Sequence, residues 1–309
     1  MKYAWIHQHR NEFPVAGMCR VLGVSRSGFY DWWNRPQSER SRRADRIRAA
    51  VAQVHEETDE IYGATKIAKE LKHRDELETA CRNMVSKAMK ELGIRSKISR
   101  KSFRPTTTQV DPSKRPAANV LNREFTATAP NQKWVTDITY LATEAGWVYL
   151  AAVVDLFSRK VVGWAVSQSL ATELVQAALK DAIEKRRPDG SQLLHHSDRG
   201  CQYTSESYQQ TLRTLGITCS MSRTGNCYDN AVAERFFWSL KYEWTNHRIY
   251  TDLESVRASV FNYIEMFYNE RRRHETLENV SPNEYELQFH KRATEAAEDT
   301  TDKAAVTAI

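Results

Sequence analysis

The sequence predicts an all-helical N-terminal region followed by an α/β domain built on a mixed, five-stranded sheet. Three observations predict it. Apolar residues recur at helical spacing through most of residues 1–94. At Pro130 the texture changes to runs rich in Val, Ile, Trp and Tyr, the composition of buried strands. From there the runs come in the order three strands, helix, strand, helix, strand, helices.

At 309 residues the chain is long enough for more than one domain. Its 41% hydrophobic content furnishes a core, and 27% charged residues suit a watery surface. No apolar run reaches membrane-spanning length, and Met1-Lys-Tyr-Ala-Trp-Ile-His7 lacks the apolar segment of a secretory leader. A cytoplasmic protein without membrane association is expected. The five cysteines show no paired spacing, which points to reduced thiols. The net charge of +6 is unevenly spread: residues 1–130 carry +10 and residues 131–309 carry −4. A basic first part is the footprint of a protein that grips a nucleic-acid backbone, although basic surface also serves solubility.

Five segments follow from the patterning: a helix-turn-helix region over 1–57, a second such unit over 58–94, a basic linker over 95–130, the α/β core over 131–288 and a disordered tail over 289–309. In the first, Met18, Val21 and Leu22 share a helical face, Gly23 breaks the helix, and Ser25 is the N-cap of a second helix from Arg26 to Trp33. Arg26 and Ser27, at the start of that helix, are placed to meet a major groove. Residues 39–57 read as one helix through Ile47, Val51 and Val54. Thr65–Leu71 turns Ile67, Ala68 and Leu71 inward, and the helix after it carries Met84, Val85, Ala88, Met89 and Leu92 before Gly93 ends it. The outer face of that last helix is basic, with Arg82 and Lys87 as candidate DNA contacts; a solvated face accounts for it too. The linker has four prolines, and Arg95–Arg123 holds eight Lys and Arg against one acid, so it reads as extended or ordered only by a partner.

Strands are expected at Trp134–Leu141, Trp147–Asp155, Lys160–Ser167, Gln192–Ser197 and Ile217–Met221. Helices are expected at Ala171–Arg187, Ser205–Leu215, about Asn230–Asn246 and Leu253–Glu270. This is the order of an RNase H-like domain, in which the first and fourth strands lie side by side. Asp137 and Asp198 each close a strand-like run, and Glu234 lies in a helix, with 35 residues between Asp198 and Glu234. Such a set can hold two divalent ions on a phosphodiester, and oxygen-only ligands select Mg²⁺, or Mn²⁺ in its place, over zinc. Glu234, Trp238 and Lys241 lie along one stripe at i, i+4 and i+7, so Lys241 is placed to hold a substrate phosphate. Asp155 is read as structural, capping or pairing with nearby Arg159, and Asp229 as a cap for the Glu234 helix. Arg271, Arg272 and Arg273 form a basic cluster that suits either a DNA strand or a helix C-terminus.

Five runs carry a resemblance. They are Pro130-Asn-Gln-Lys-Trp-Val-Thr-Asp-Ile-Thr-Tyr140, Asp155-Leu-Phe-Ser-Arg-Lys160, His196-Ser-Asp-Arg-Gly200, Ser222-Arg-Thr-Gly-Asn-Cys-Tyr-Asp-Asn-Ala231, and Tyr268-Asn-Glu-Arg-Arg-Arg-His274 with Ser281-Pro282. Together, in this order, they resemble the second-reading-frame transposase (OrfB) of the third insertion-sequence family, whose cores are similar to retroviral integrases. The resemblance covers roughly residues 1–288. It implies that Asp137, Asp198 and Glu234 are a DDE triad with a two-metal site, and that Lys241 contacts DNA. It implies cleavage that leaves a 3′-hydroxyl, then strand transfer, on the element's terminal repeats and on target DNA. A bacterial, nucleoid-associated protein acting as at least a dimer is expected. An upstream-frame partner supplies further DNA-binding helices in that family, so either this chain is the downstream half or its own helices suffice. The competing reading is a non-catalytic DNA-binding regulator or accessory of the fused transposase.

Overall fold

A computed structural model describes residues 1–74, 80–97, 116–223 and 227–307. The chain divides into two compact units, Met1–Arg95 and Ser96–Ile309.

The first unit holds two helical trios. Helices α1 (Lys2–Gln8), α2 (Val15–Val21) and α3 (Arg26–Asn34) close around Ile6, Met18, Cys19 and Phe29. The Ser25 hydroxyl accepts the Gly28 amide at 3.1 Å, the expected cap. Gly23, at φ +60°, supplies the left-handed step between α2 and α3. Val21, expected inward, is 86% exposed. The face that packs is Val15, Met18, Cys19 and Leu22, and Val21 falls outside that arc.

Helices α4 (Glu39–Glu57), α5 (Ala64–His73) and α6 (Arg82–Leu92) form the second trio, burying Ile47, Val51, Val54, Ile67, Leu71 and Val85. The helix over 39–57, expected with the first region, packs on α5 and α6 instead. Its apolar stripe begins only at Ile47, and that stripe belongs to the second core. Of the expected linker, residues 98–115 lie outside the described residues. Residues 116–123 are not a solvated spacer: Leu121 is buried and Ala117 packs on the core of the second unit.

The second unit is built on a sheet of order β3-β2-β1-β4-β5, from β1 (Lys133–Thr143), β2 (Gly146–Asp155), β3 (Val161–Ser167), β4 (Leu194–Ser197) and β5 (Thr218–Met221). The first three strands pair antiparallel; β4 runs parallel to β1 and to β5. The parallel pairs are joined through helices, as parallel pairing requires. Helix α7 (Thr172–Arg186) lies over β2 and β3, and α8 (Glu206–Thr214) leads into β5. Helix α9 (Ala231–Glu243) lies over β1 and β2. The core gathers Trp134, Ile138, Ala151 and Val153 from the sheet with Leu174, Ala178 and Ala182 from α7.

The expected long helix after residue 253 is α10 (Leu253–Phe261) continued by a π-helical stretch, Asn262–Tyr268. Tyr263, Ile264, Phe267 and Tyr268 are buried in this stretch. The tail, expected to lack order, continues helix α11 (Pro282–Thr307). Its Ala, Glu and Lys content favours helix, a propensity that outweighs the low hydrophobicity on which the expectation rested.

Candidate active site

Asp137 is not at the end of its strand but is the fifth residue of the long β1. Strand alternation decides where it points. Trp134 and Ile138 belong to the cluster with α7, so Asp137 turns to the opposite face. Its height is set by β4, which pairs with β1 only over Lys133–Val135, opposite Leu194–His196. Continuing that register by two places sets Asp198 level with Asp137. The seam between the two strands therefore opens where the carboxylates stand.

Each aspartate is steadied by a backbone amide. Asp137 Oδ1 accepts from Ile138 N at 2.8 Å, and Asp198 Oδ1 accepts from Gly200 N at 2.9 Å. Glu234 is exposed, one turn into α9, while Ala233, Phe236, Phe237 and Leu240 are buried beneath it. The Asp137 carboxyl is held well above the usual carboxylate range, first by burial and then by the negative charges of Asp198 and Glu234. The Ile138 amide and the Lys241 ammonium pull the other way. Two acids from other parts of the chain thus act on Asp137, with the Lys241 ammonium opposing them. Among the described residues no group of three or more His, Cys, Asp and Glu lies close enough together to hold a metal ion. The charges of Asp198 and Glu234 still reach the Asp137 carboxyl.

Lys241 lies with Nζ 3.9 Å from the Tyr140 ring centroid, and Tyr140 meets Trp147 edge-on at 5.2 Å. Trp238 stacks on Tyr242 at 4.7 Å, and the Arg235 guanidinium sits 4.3 Å from the Trp238 ring. Sequence spacing placed Lys241 on the Glu234 stripe, but nothing in it pointed to Tyr140, which a different element supplies.

His195 and His196 flank this region without joining it. Burial pulls His195 down to about 3 and His196 to about 4, so both are neutral at pH 7. His195 Nε2 meets the Tyr208 hydroxyl at 3.2 Å; the two nitrogens of His196 meet Ser220 and Ser222 at 2.8 and 3.1 Å.

Other expected roles change. Asp155 is buried and accepts from Asn131 N, Trp134 Nε1 and Phe157 N, with Arg186, not Arg159, as its nearest cation at 3.9 Å. Arg159 donates instead to the Phe125 carbonyl. Asp229 does not cap α9. It is buried and paired with Arg123 and Arg223, whose charges and hydrogen bonds hold its carboxyl far below the usual range. Arg272 is buried against Glu243 at 2.6 and 2.7 Å, which removes it from the DNA-contact candidates. Arg273 is half-buried and donates to the Asn279 carbonyl; Arg271 is exposed. Arg26, Ser27, Arg82 and Lys87 are all exposed, at the starts of α3 and α6 and along α6. Cys19, Cys81, Cys201 and Cys219 are free thiols, and no described helix is long and apolar enough to cross a membrane.

Comparison with known proteins adds to this geometry. Two integrase core domain models match residues 127–227 and 215–282, and an HTH-like domain model matches residues 42–102. The chain is similar to the transposase InsF for insertion sequence IS3A of Escherichia coli strain K12, at 39% identity over 288 residues, which is 93% of this chain and 98% of that protein. It is similar also to an uncharacterized 31 kDa protein of insertion element IS600 from Shigella sonnei, at 39% identity over 276 residues, 89% of this chain and 100% of that protein. Among solved structures, the HTLV-2 integrase catalytic core with magnesium aligns at 16% identity and a TM-score of 0.41, over 52% of this chain and 99% of that one.

Proposed function

This chain belongs to the transposases of the third insertion-sequence family, which carry an integrase-type core, and from that premise we propose that Asp137, Asp198 and Glu234 perform its chemistry. The enzyme is a transposase that acts on DNA. One observation supports the residue assignment above the others: Asp137 stands in the field of both Asp198 and Glu234, with Lys241 opposing.

The donor set fits a hard divalent cation, being three carboxylates with no thiol or imidazole among them. Their mutual repulsion is the kind a cation relieves. Asp137, Asp198 and Glu234 would hold Mg²⁺, or Mn²⁺ in its place, as a pair of ions whose charge helps one oxygen attack a phosphodiester and another leave it.

The protein's own groups do the rest. The Ile138 and Gly200 amides fix the aspartate rotamers, so little reorganisation is needed when substrate arrives. Lys241 offsets phosphate charge at the same mouth. The scissile phosphodiester is attacked in line, first by water at the element's end and then by the 3′-hydroxyl so released. Neither step needs a protein nucleophile, so no covalent enzyme–DNA bond forms. Double-stranded DNA is the partner, as terminal repeats and as target. Arg26, Ser27, Arg82, Lys87 and the exposed Arg271 are the proposed backbone and groove contacts. Bringing two ends together calls for at least a dimer, and an upstream-frame protein is a further partner in the family-based reading.

The test is incubation of labelled element ends with Mg²⁺, scored for 3′ nicks and for joined strands. Asp198→Asn is expected to abolish both while DNA binding persists. Strand transfer retained by that variant would refute the assignment, and absence of both products from the wild-type chain would favour a DNA-binding accessory.

A further inference from the structure

The segment just before the core is fastened at several points to β5, the neighbour of the strand that leads to Asp198, and to Asp229 at the foot of the helix that carries Glu234. Met221 N donates to the Ala118 carbonyl at 3.2 Å, so the segment runs beside the outer strand β5. The amides of Val120 and Leu121 both donate to Ser220 Oγ, at 2.9 and 3.0 Å, and that hydroxyl also meets His196 Nδ1. Leu121 is 1% exposed. Asn122 and Arg123 then adopt left-handed backbone at φ +44° and +64°. Such a conformation is uncommon for Arg and persists where surrounding contacts over-determine it.

Those contacts converge on Asp229. Its carboxylate accepts from Asn119 Nδ2 at 2.9 Å and from Arg123 Nε at 2.8 Å, both more than a hundred positions away in the chain. It also accepts from Arg223 Nε and Nη2, each at 2.9 Å. The neighbouring Asn230 donates to the Thr136 carbonyl at 3.1 Å, one residue before Asp137. Asp229 and Asn230 are the last residues before α9, whose start has no side-chain cap of its own. The foot of α9 is therefore held by tertiary bonds, and Glu234 stands one turn above it.

We propose that residues 118–123 form a strap that positions Glu234, with Asn119 and Arg123 as positioning residues acting through Asp229 and the foot of α9. The proposal rests on the assignment of Glu234 above. The strap links the β5 edge, the foot of α9 and, through Asn230, the strand that carries Asp137. A helix start held this way is displaced when its bonds are cut. A displacement of about 1 Å at a catalytic group is enough to cost up to roughly a hundredfold in rate.

The test uses the full chain with its own labelled element ends and Mg²⁺. Variants are Asn119→Ala, Arg123→Ala, Arg123→Lys, Glu234→Gln and the remote Arg213→Ala. Strand-transfer kcat and KM for DNA are measured together with amide hydrogen exchange. Asn119→Ala and Arg123→Ala are expected to lower kcat roughly tenfold or more with KM unchanged, and to speed exchange at residues 231–236 while β1 and α7 keep their protection. Arg123→Lys should recover much of the loss, and Arg213→Ala should match wild type. Wild-type kcat in both alanine variants overturns the proposal. A rise in KM with unchanged exchange at 231–236 also overturns it, because Arg123 would then be a DNA contact. Should Arg123→Ala lose protection throughout, Asn119→Ala, which removes no charge and cuts only the bonds to Asp229 and to the Asn122 amide, decides. An active Glu234→Gln would sink the triad assignment instead; an inactive one beside fully active strap variants sinks only the strap.

Discussion

Arg272 sits in a run of three arginines and a histidine, yet its guanidinium closes on Glu243 and reaches Ser239 at 3.1 Å. The Tyr263 hydroxyl donates to the same glutamate at 2.9 Å. Cutting one partner from a buried pair leaves the other charge without compensation, at a cost of about 3–5 kcal/mol. Arg272→Ala is thus expected to lower stability by that amount in urea unfolding, with the folded fraction binding DNA as tightly as wild type. Weakened DNA binding at unchanged stability would contradict the burial. Residue type and spacing drew Asp137, Asp198, Glu234 and Lys241 together as a candidate set, because acids in that order on strand-like and helical runs have few structural uses. They left Arg272 and Asp229 misread. Whether a charged residue points to water or to a buried partner depends on what lies across from it, and Glu243 and Arg123 are remote in sequence.

At the level of elements, strand and helix spans fall within a few residues of their sequence expectations, since each strand shows its composition and each helix its apolar stripe. Close packing between elements is less visible. Gly163 on β3 faces α7 so tightly that an added Cβ would lie 2.4 Å from the Ala178 carbonyl oxygen and 2.5 Å from Ala182 N. Backbone atoms cannot move aside as a flexible side chain can. Gly163→Ala is expected to destabilise by about 1–3 kcal/mol, read as a melting temperature lower by roughly 2–4 °C per kcal/mol for a unit of this size. An unchanged melting temperature would show that α7 can shift. Nothing in the local sequence marks Gly163; its reason is a helix that begins nine residues later. The π-helical stretch after α10 was equally hidden, because its inward residues still match an α-helical stripe.

For the whole molecule, buried neutral histidine sets a pH limit. His195 is pulled down to about 3 by burial, with His196 adding to it, while an imidazole in the unfolded chain titrates near 6.5. Between those values the unfolded chain binds a proton that the folded chain refuses. Stability is therefore complete above about pH 6.5 and falls as pH drops through that window, by several kcal/mol at full titration. Urea midpoints measured from pH 7 to 4.5 should decline, and the slope should be shallower in His195→Gln. A flat wild-type profile would mean that the imidazole is solvated.

By itself the sequence determined the local elements and the chemical kinds of group available: helices through residues 1–94, five strands, three acids and a lysine. Periodicity and composition are local properties, and local spacing records them. Only the tertiary structure decided which acids face one another, that Arg272 turns inward, and that residues 116–123 are fastened to the core and not free. Those outcomes rest on strand register and on partners from 29 to 110 positions apart, and burial there repays desolvation only when the matching group arrives from elsewhere in the chain.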